Sequence, residues 1–387
     1  MKSTSSDIWP VRVKMKDFTP TFAKAGEVNI AVISDVHLGH SRVWTSTIIN
    51  VLEKSFTKER LETLRVIIIS GDLFDKRLSF DSDDAALIIR WMERLCRAAK
   101  KYGIAIRILE GTPSHDNRQS RWMLHANEMI GAGADVKYYE NIAIDEMYDG
   151  GPTVLYVQDE YDRDANKTWK AVQNLMVEKG IDQVDFGVMH GMFTFQEPVR
   201  SISSHLEERY EGIVKHVIII GHHHKPAYHG KIRVPGSVER LRHNEEHDKG
   251  HYQFTYSPET GVGNEYFIIN DEATTFMAFD VIGKSFNEVT THLKKFLHYP
   301  DNSHFRLDLS RLDETYPALG KMKQIFPQFD ITIKAIEAEV SSENEDHLID
   351  APILTSIRPD NLSELLMPRI QGASDAVLKR IAQIMAA

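Results

Sequence analysis

One cysteine, Cys96, stands among 387 residues. It can build neither an internal disulfide nor a thiolate zinc site, and a reducing compartment is its natural setting. Excess positive charge is missing too: 46 Lys and Arg face 56 Asp and Glu, a formal net charge of −10. That excludes a nucleic-acid binder working by bulk charge, while leaving room for a local basic groove or a basic partner. No apolar run approaches the roughly 18 residues that cross a bilayer. The opening MKSTSSDIWPVRVKMKDFTP lacks an apolar core, so it does not read as a secretory leader. A cytoplasmic chain with no membrane contact is expected. Repeats and low-complexity tracts are absent as well. Histidine is what abounds, 18 in all, and its placement carries the functional reading.

Hydrophobic residues at 42% and charged residues at 26% are ordinary globular composition. From Val28 to about Asp280, short β-branched runs alternate with longer helical patterns. VNIAVIS (28–34), VIIIS (66–70), IAIRIL (104–109), TVLYVQ (153–158), DFGVMH (185–190) and KHVIIIG (215–221) read as buried strands. Between the second and third, DSDDAALIIRWMERLCRAAKKYG places Leu87, Ile88, Trp91 and Leu95 on one helical face, with cap candidates at 81–83 and a stop at Gly103. Strands separated by such helices predict an α/β fold, a sheet covered on both faces. Near Asp280 the pattern changes to helix, strand, helix, strand, which predicts a small α/β domain at 281–338. An acidic linker follows at 339–351. The final segment, 352–387, carries Val377, Leu378, Ile381 and Met385 on one helical stripe behind a Ser374 cap.

Five segments just after strand ends hold the chemistry, where open α/β sheets place their sites: SDVHLGH (34–40), SGDLFD (70–75), GTPSHD (111–116), MHGMF (189–193) and GHHHKP (221–226). Asp35 and His37 are two apart, so an extended strand end sends both to one face. His222 and His224 repeat the spacing. Asp72, after an apolar strand and a glycine, is costly to bury without compensation. Any one of these residues alone reads as a turn former or a surface histidine; five together in one sheet read as a metal centre. Carboxylate and imidazole without thiolate suit Mn, Fe, Zn or Mg. The ligands are too many for one ion, so two ions sharing a carboxylate is the economical arrangement, and phosphoester hydrolysis is the reaction class.

The order D-x-H, G-D-x-x-D, H-D, H-G and G-H-x-H resembles the calcineurin-like metallophosphoesterases. SDVHLGH, SGDLFD and PGSVERLRHNEEHDKGHY look most like the DNA double-strand-break repair nucleases of the SbcD type. The resemblance covers about 28–280 by motif and the rest by domain order. It implies a β-sandwich flanked by helices over 1–280, a capping, DNA-contacting domain at 281–338, and a tail at 352–387 that docks on the coiled coil of an SMC-like ATPase. It places Asp35, His37 and His224 on one metal, Asp72 as the bridge, and His190 and His222 on the second. Mn2+, or alternatively Mg2+, is the implied cofactor. His115 would be the catalytic acid beside Asp116, with His223 a non-ligand. Double-stranded DNA ends would be the substrate, in recombination, repair or replication, and a homodimer through 41–58 and 118–130 is implied. Arg118, Arg121, Arg240 and Arg242 are candidate phosphate contacts.

Two positions depart from the family pattern. Ser114 stands where the family has an amide ligand of the second metal, and a neutral hydroxyl is the weaker donor. Asp75 stands where nuclease relatives often carry a histidine that meets phosphate, and it would repel substrate unless it binds metal or pairs with Lys76 or Arg77. Two other readings share the motifs: a phosphodiesterase or phosphatase on small or protein substrates, and a weakly catalytic scaffold that regulates the ATPase.

Overall fold

The run Val28–Ile33 is β-branched on both faces, and the structure uses both. This computed structural model describes residues 10–301 and 303–336. The linker at 339–351 and the tail at 352–387, with its stripe of Val377, Leu378, Ile381 and Met385, lie outside the described residues. A seven-stranded sheet runs Val11–Lys14, Gly261–Ile269, Gly250–Ser257, Val28–Ile33, Leu64–Ser70, Ala105–Leu109, Val136–Tyr139 in spatial order. A six-stranded sheet runs Ala227–His229, Ile232–Val234, Val214–Gly221, Val184–His190, Thr153–Val157, Ala143–Glu146.

The two sheets face each other. Ile30, Val32, Val66 and Ile68 of the first share one apolar cluster with Tyr156, Phe186, Val188 and Ile219 of the second. The alternate residues Ala31, Ile33, Ile67 and Ile69 pack instead on helices, against Ile48, Leu52, Ile88 and Met92. On the far side, Leu155, Ile218 and Ile220 cover Val172, Met176 and Tyr210 of two further helices. The chain is thus mixed α/β. The expectation from the strand and helix patterns alone, one sheet clothed by helices on both faces, gives way to two sheets in contact. Apolar residues on both faces of a strand show that both are buried, but not what buries them.

The helix Asp83–Tyr102 starts where Ser82 accepts the backbone N–H of Ala85 at 3.2 Å and stops at Gly103, which takes the left-handed φ of 69° that a side chain resists. The third sheet, parallel throughout, is Phe276–Asp280, His304–Leu309, Asp330–Ala335. With helices Phe286–Lys294 and Leu319–Ile325 it encloses its own cluster of Phe279, Val289, Leu293, Phe305, Leu307 and Met322. All described residues fall within one compact unit ending at Ile336. The segments expected at a dimer contact fold as helices Thr45–Ser55 and Trp122–Met129. Among the described residues, no helix is long and apolar enough to cross a membrane.

Candidate metal centre

The motif loops begin where the strands stop. Val28–Ile33 and Leu64–Ser70 pair in parallel, and their loops stay zipped together: Val36 and His37 donate N–H groups to the Asp72 carbonyl, and Leu38 donates to that of Leu73, at 2.8–3.0 Å. Asp35, His37, Asp72 and His222 all have positive φ, from 49° to 97°. The extended i, i+2 geometry expected for Asp35 and His37 is therefore not what aims them; left-handed turns do. Each such non-glycine residue costs on the order of 1–3 kcal/mol, and such strain gathers at functional sites. Close packing adds a second constraint. A Cβ on Gly71 would collide with the His190 ring, and one on Gly111 with the Asp72 backbone.

Asp35, His37 and His224 bring one ligand atom each within 4.8 Å of one another; so do Asp72, His190 and His222, and so do His37, Asp72 and His115. In the first cluster, His37 Nε2 lies 3.0 Å from His224 Nε2. His224 Nδ1 sits 2.9 Å from Glu245 Oε1, and a carboxylate only accepts, so Nδ1 carries the hydrogen and Nε2 is left with its lone pair. Glu245 is held ionised: burial opposes its charge, but the bond to His224 and the ammonium of Lys249 override burial. His37 Nδ1 is 3.2 Å from Asp75 Oδ1, outside hydrogen-bond geometry, and its Nε2 faces inward as well. Two imidazole nitrogens 3.0 Å apart hold either a shared proton or a cation between them, and the residues fit a cation. Asp35 completes the group, its Oδ1 3.9 Å from His224 Nε2 and held by the N–H of His222.

The second cluster repeats the logic. His190 Nδ1 is 2.7 Å from the Ser70 carbonyl, so it bears the hydrogen. Its Nε2 is buried without a hydrogen-bond partner, 3.3 Å from Asp72 Oδ1. Burial works against charge on both residues, yet each sustains the other, raising His190 well above an ordinary histidine and lowering Asp72. The pair is built around a positive charge, which a bound cation supplies as well as a proton does. Asp72 Oδ2 meanwhile lies 3.8 Å from His37 Nε2. One carboxylate thus turns an oxygen toward each cluster, held by the Thr112 N–H at 2.6 Å.

His115 stands beside His37, ring centroids 5.0 Å apart. Its Nδ1 donates to the Asp75 carbonyl at 2.8 Å, leaving Nε2. Ser114 is exposed on the short helix Pro113–Asp116; the hydroxyl that reaches the second cluster is that of Thr112, 3.3 Å from both Asp72 Oδ2 and His222 Nδ1. Asp116 is fully buried and its oxygens accept the N–H groups of Phe74 and Gly111 at 2.8 and 2.7 Å. Burial first, then Asp72 and Glu110, push its carboxyl up to about 8. It clamps two motif loops together, which is a positioning role. The Asp75 carboxylate lies beside His37 rather than meeting Lys76 or Arg77 among the described ion pairs, and its carbonyl orients His115. Of the four arginines, Arg240 is spent on the carbonyls of Glu245, Ala273 and Thr274 at 3.1–3.4 Å. Arg118 and Arg121 lean on Glu140, and Arg242 on Glu245. Arg118 and Arg242 remain about 70% exposed (71% and 69%).

Three residues escaped the sequence reading: Thr112, Glu245 and Asp159. Asp159 follows Thr153–Val157 and lies 3.3 Å from His222 Nδ1. It carries the same signal as Asp72, a carboxylate just past a buried strand. No protein-family model and no curated protein matches the chain. One solved crystal structure is similar at a TM-score of 0.37 and 10% identity, covering 61% of this chain and 98% of the other. So loose a likeness carries no argument, and the site rests on its own geometry.

Proposed function

We propose that this chain is a two-metal phosphodiester hydrolase that cuts DNA, the nuclease subunit of an end-processing complex with an SMC-like ATPase. The observation that carries the reading is Asp72, one oxygen turned to each of two His/Asp clusters whose imidazole nitrogens face inward. The order of the five motifs, which resembles the SbcD-type metallophosphoesterases, supports it. The two facing sheets would then be that family's sandwich, and the third sheet with its helices the cap over the DNA.

Two bound Mn2+ or Mg2+ ions would supply Lewis acidity and an activated water for in-line attack on phosphorus. The chain's own residues do the rest. Asp75 and Glu245 fix the rings of His37 and His224, as carboxylates behind ligating histidines do. Asp72 and Asp35 supply the negative charge that holds the ions. His115, oriented through the Asp75 carbonyl, would act as the acid in its doubly protonated form, passing the Nε2 proton to the departing 3′ oxygen and keeping the one on Nδ1. Arg118 has an exposed head in a surface ion pair worth at most about 1 kcal/mol, so it is free to exchange a carboxylate for a DNA phosphate, and the exposed Arg242 leans on the buried Glu245.

The test is cleavage of end-labelled linear duplex DNA with Mn2+, alongside bis-p-nitrophenyl phosphate and the Asp72→Ala variant. Cleavage of both substrates, lost in the variant, is expected. Cleavage of the small diester alone would remove DNA as the substrate. Silence on both would overturn the hydrolase reading and favour a scaffold.

A further inference from the structure

The second cluster differs from its expected pattern, and Asp159 stands where the difference lies. This strand-end carboxylate is mostly buried, its side chain 13% exposed. The backbone bends sharply behind it, since Glu160 takes a φ of 47°. Asp159 Oδ2 accepts from the Thr112 hydroxyl at 3.1 Å and lies 3.3 Å from His222 Nδ1. Thr112 Oγ1 in turn lies 3.3 Å from both Asp72 Oδ2 and His222 Nδ1. Asp72 Oδ1 closes the series 3.3 Å from His190 Nε2.

Five side chains therefore form an open series, His190, Asp72 through both of its oxygens, Thr112, Asp159 and His222, with successive partners 3.1–3.3 Å apart. Ligands held about 2.1 Å from one octahedral cation stand about 3 Å apart along each edge. The series has nearly that spacing. It also shows which nitrogen of His222 faces the cluster, because Nδ1 is the atom that Thr112 and Asp159 share.

We propose that Asp159 is a direct ligand of the second cation, so that a carboxylate takes the place of the neutral amide that the metallophosphoesterase pattern puts there. The proposal rests on the two-metal reading and deepens it. Thr112, two residues before the exposed Ser114, brings a hydroxyl to the cluster, and Asp159 adds an anion. Each cation then meets two carboxylates, Asp35 and Asp72 at the first, Asp72 and Asp159 at the second. The second site becomes the harder of the two imidazole–oxygen sites and favours Mn2+ or Mg2+ over softer ions.

The competing arrangement has Asp159 accept the Nδ1 hydrogen of His222 and merely hold that ring. Crystals of the wild-type protein soaked in Mn2+ separate the two by anomalous scattering, without a variant whose folding could fail. Two peaks are expected, the one beside His190 within about 2.2 Å of an Asp159 oxygen. Calorimetric titration with Mn2+ should show that Asp159→Ala keeps the first ion and weakens the second by about tenfold or more, with Asp159→Asn between the two. Two peaks with the Asp159 carboxylate touching only the His222 ring would overturn the proposal and leave the two-metal reading standing. So would an Asp159→Ala titration matching the wild type. Absence of any Mn2+ peak at either cluster would overturn both.

Discussion

The two clusters share Asp72 and little else. In the first, each imidazole is backed by a carboxylate, His37 by Asp75 and His224 by Glu245, and Asp35, His37 and Asp72 are almost wholly buried. In the second, His190 is backed by a neutral carbonyl, and His222 keeps its side chain 37% exposed. A carboxylate behind the ring raises ligand basicity and fixes the tautomer more firmly than a carbonyl does. On the proposed two-metal reading the first cluster would be the preorganised, tight site, and the second, with the more exposed His222, the open one. The asymmetry suits a pair of ions in which one is structural and the other exchanges contacts during turnover.

Removing what the clusters have in common should have the largest effect. Asp72→Ala should abolish binding at both and cut hydrolysis on the order of a thousandfold or more, several kcal/mol of transition-state stabilisation. A variant retaining one tight ion would show that the clusters are independent. Next in size is Glu245→Ala. It leaves the ammonium of Lys249 buried without the partner that sits 2.8 Å away, and breaking such a pair costs about 3–5 kcal/mol. Denaturant unfolding of the metal-free protein should show that loss. The equivalent change at the more exposed Asp75 should cost much less stability while still weakening the first ion.

His251, outside both clusters, supplies a control on pH. Burial lowers it from 6.5 to about 3, so the unfolded chain takes up a proton that the folded chain refuses. Its contribution is intact above about 6.5 and shrinks as pH falls toward 3, by about 1.4 kcal/mol per pH unit. The stability difference between the wild type and His251→Gln should follow that slope under acid, with Mn2+ stoichiometry above pH 7 unchanged. A flat difference would mean that His251 accepts a proton in the fold. The smallest effects separate two neighbours. Thr112→Val should weaken the second ion by about tenfold, whereas Ser114→Ala, on an exposed residue, should leave both ions and turnover as they were. The reverse result would return the ligand role to Ser114.

Much of this was legible in the chain. The apolar runs marked six strands to within a residue or two, because β-branched residues bounded by glycine and aspartate have few other places to go. Asp35, His37, Asp72, His222 and His224 stood out by their place at the ends of those runs and His190 through the family resemblance, and the structure brings all six into groups that could hold a metal ion. What escaped depends on contacts distant in sequence. Glu245 lies 21 residues beyond His224, in a loop with no strand to flag it. Asp116 reads as part of an active motif, yet it points into the protein to join two backbones. Ser114 and Thr112 could not be told apart without knowing that Pro113 opens a helix and turns the following residue outward. The facing sheets were hidden for a related reason: hydrophobic faces record burial, not the identity of the neighbour.

Central to the proposed chemistry is a shared carboxylate, Asp72, holding two cations a few ångströms apart. Electron paramagnetic resonance of the wild-type protein with two equivalents of Mn2+ tests that most directly. An exchange-coupled pair of ions, replaced in Asp72→Ala by the signal of free Mn2+, is the predicted result. Two uncoupled ions in the wild type, or a coupled pair that survives Asp72→Ala, would contradict it.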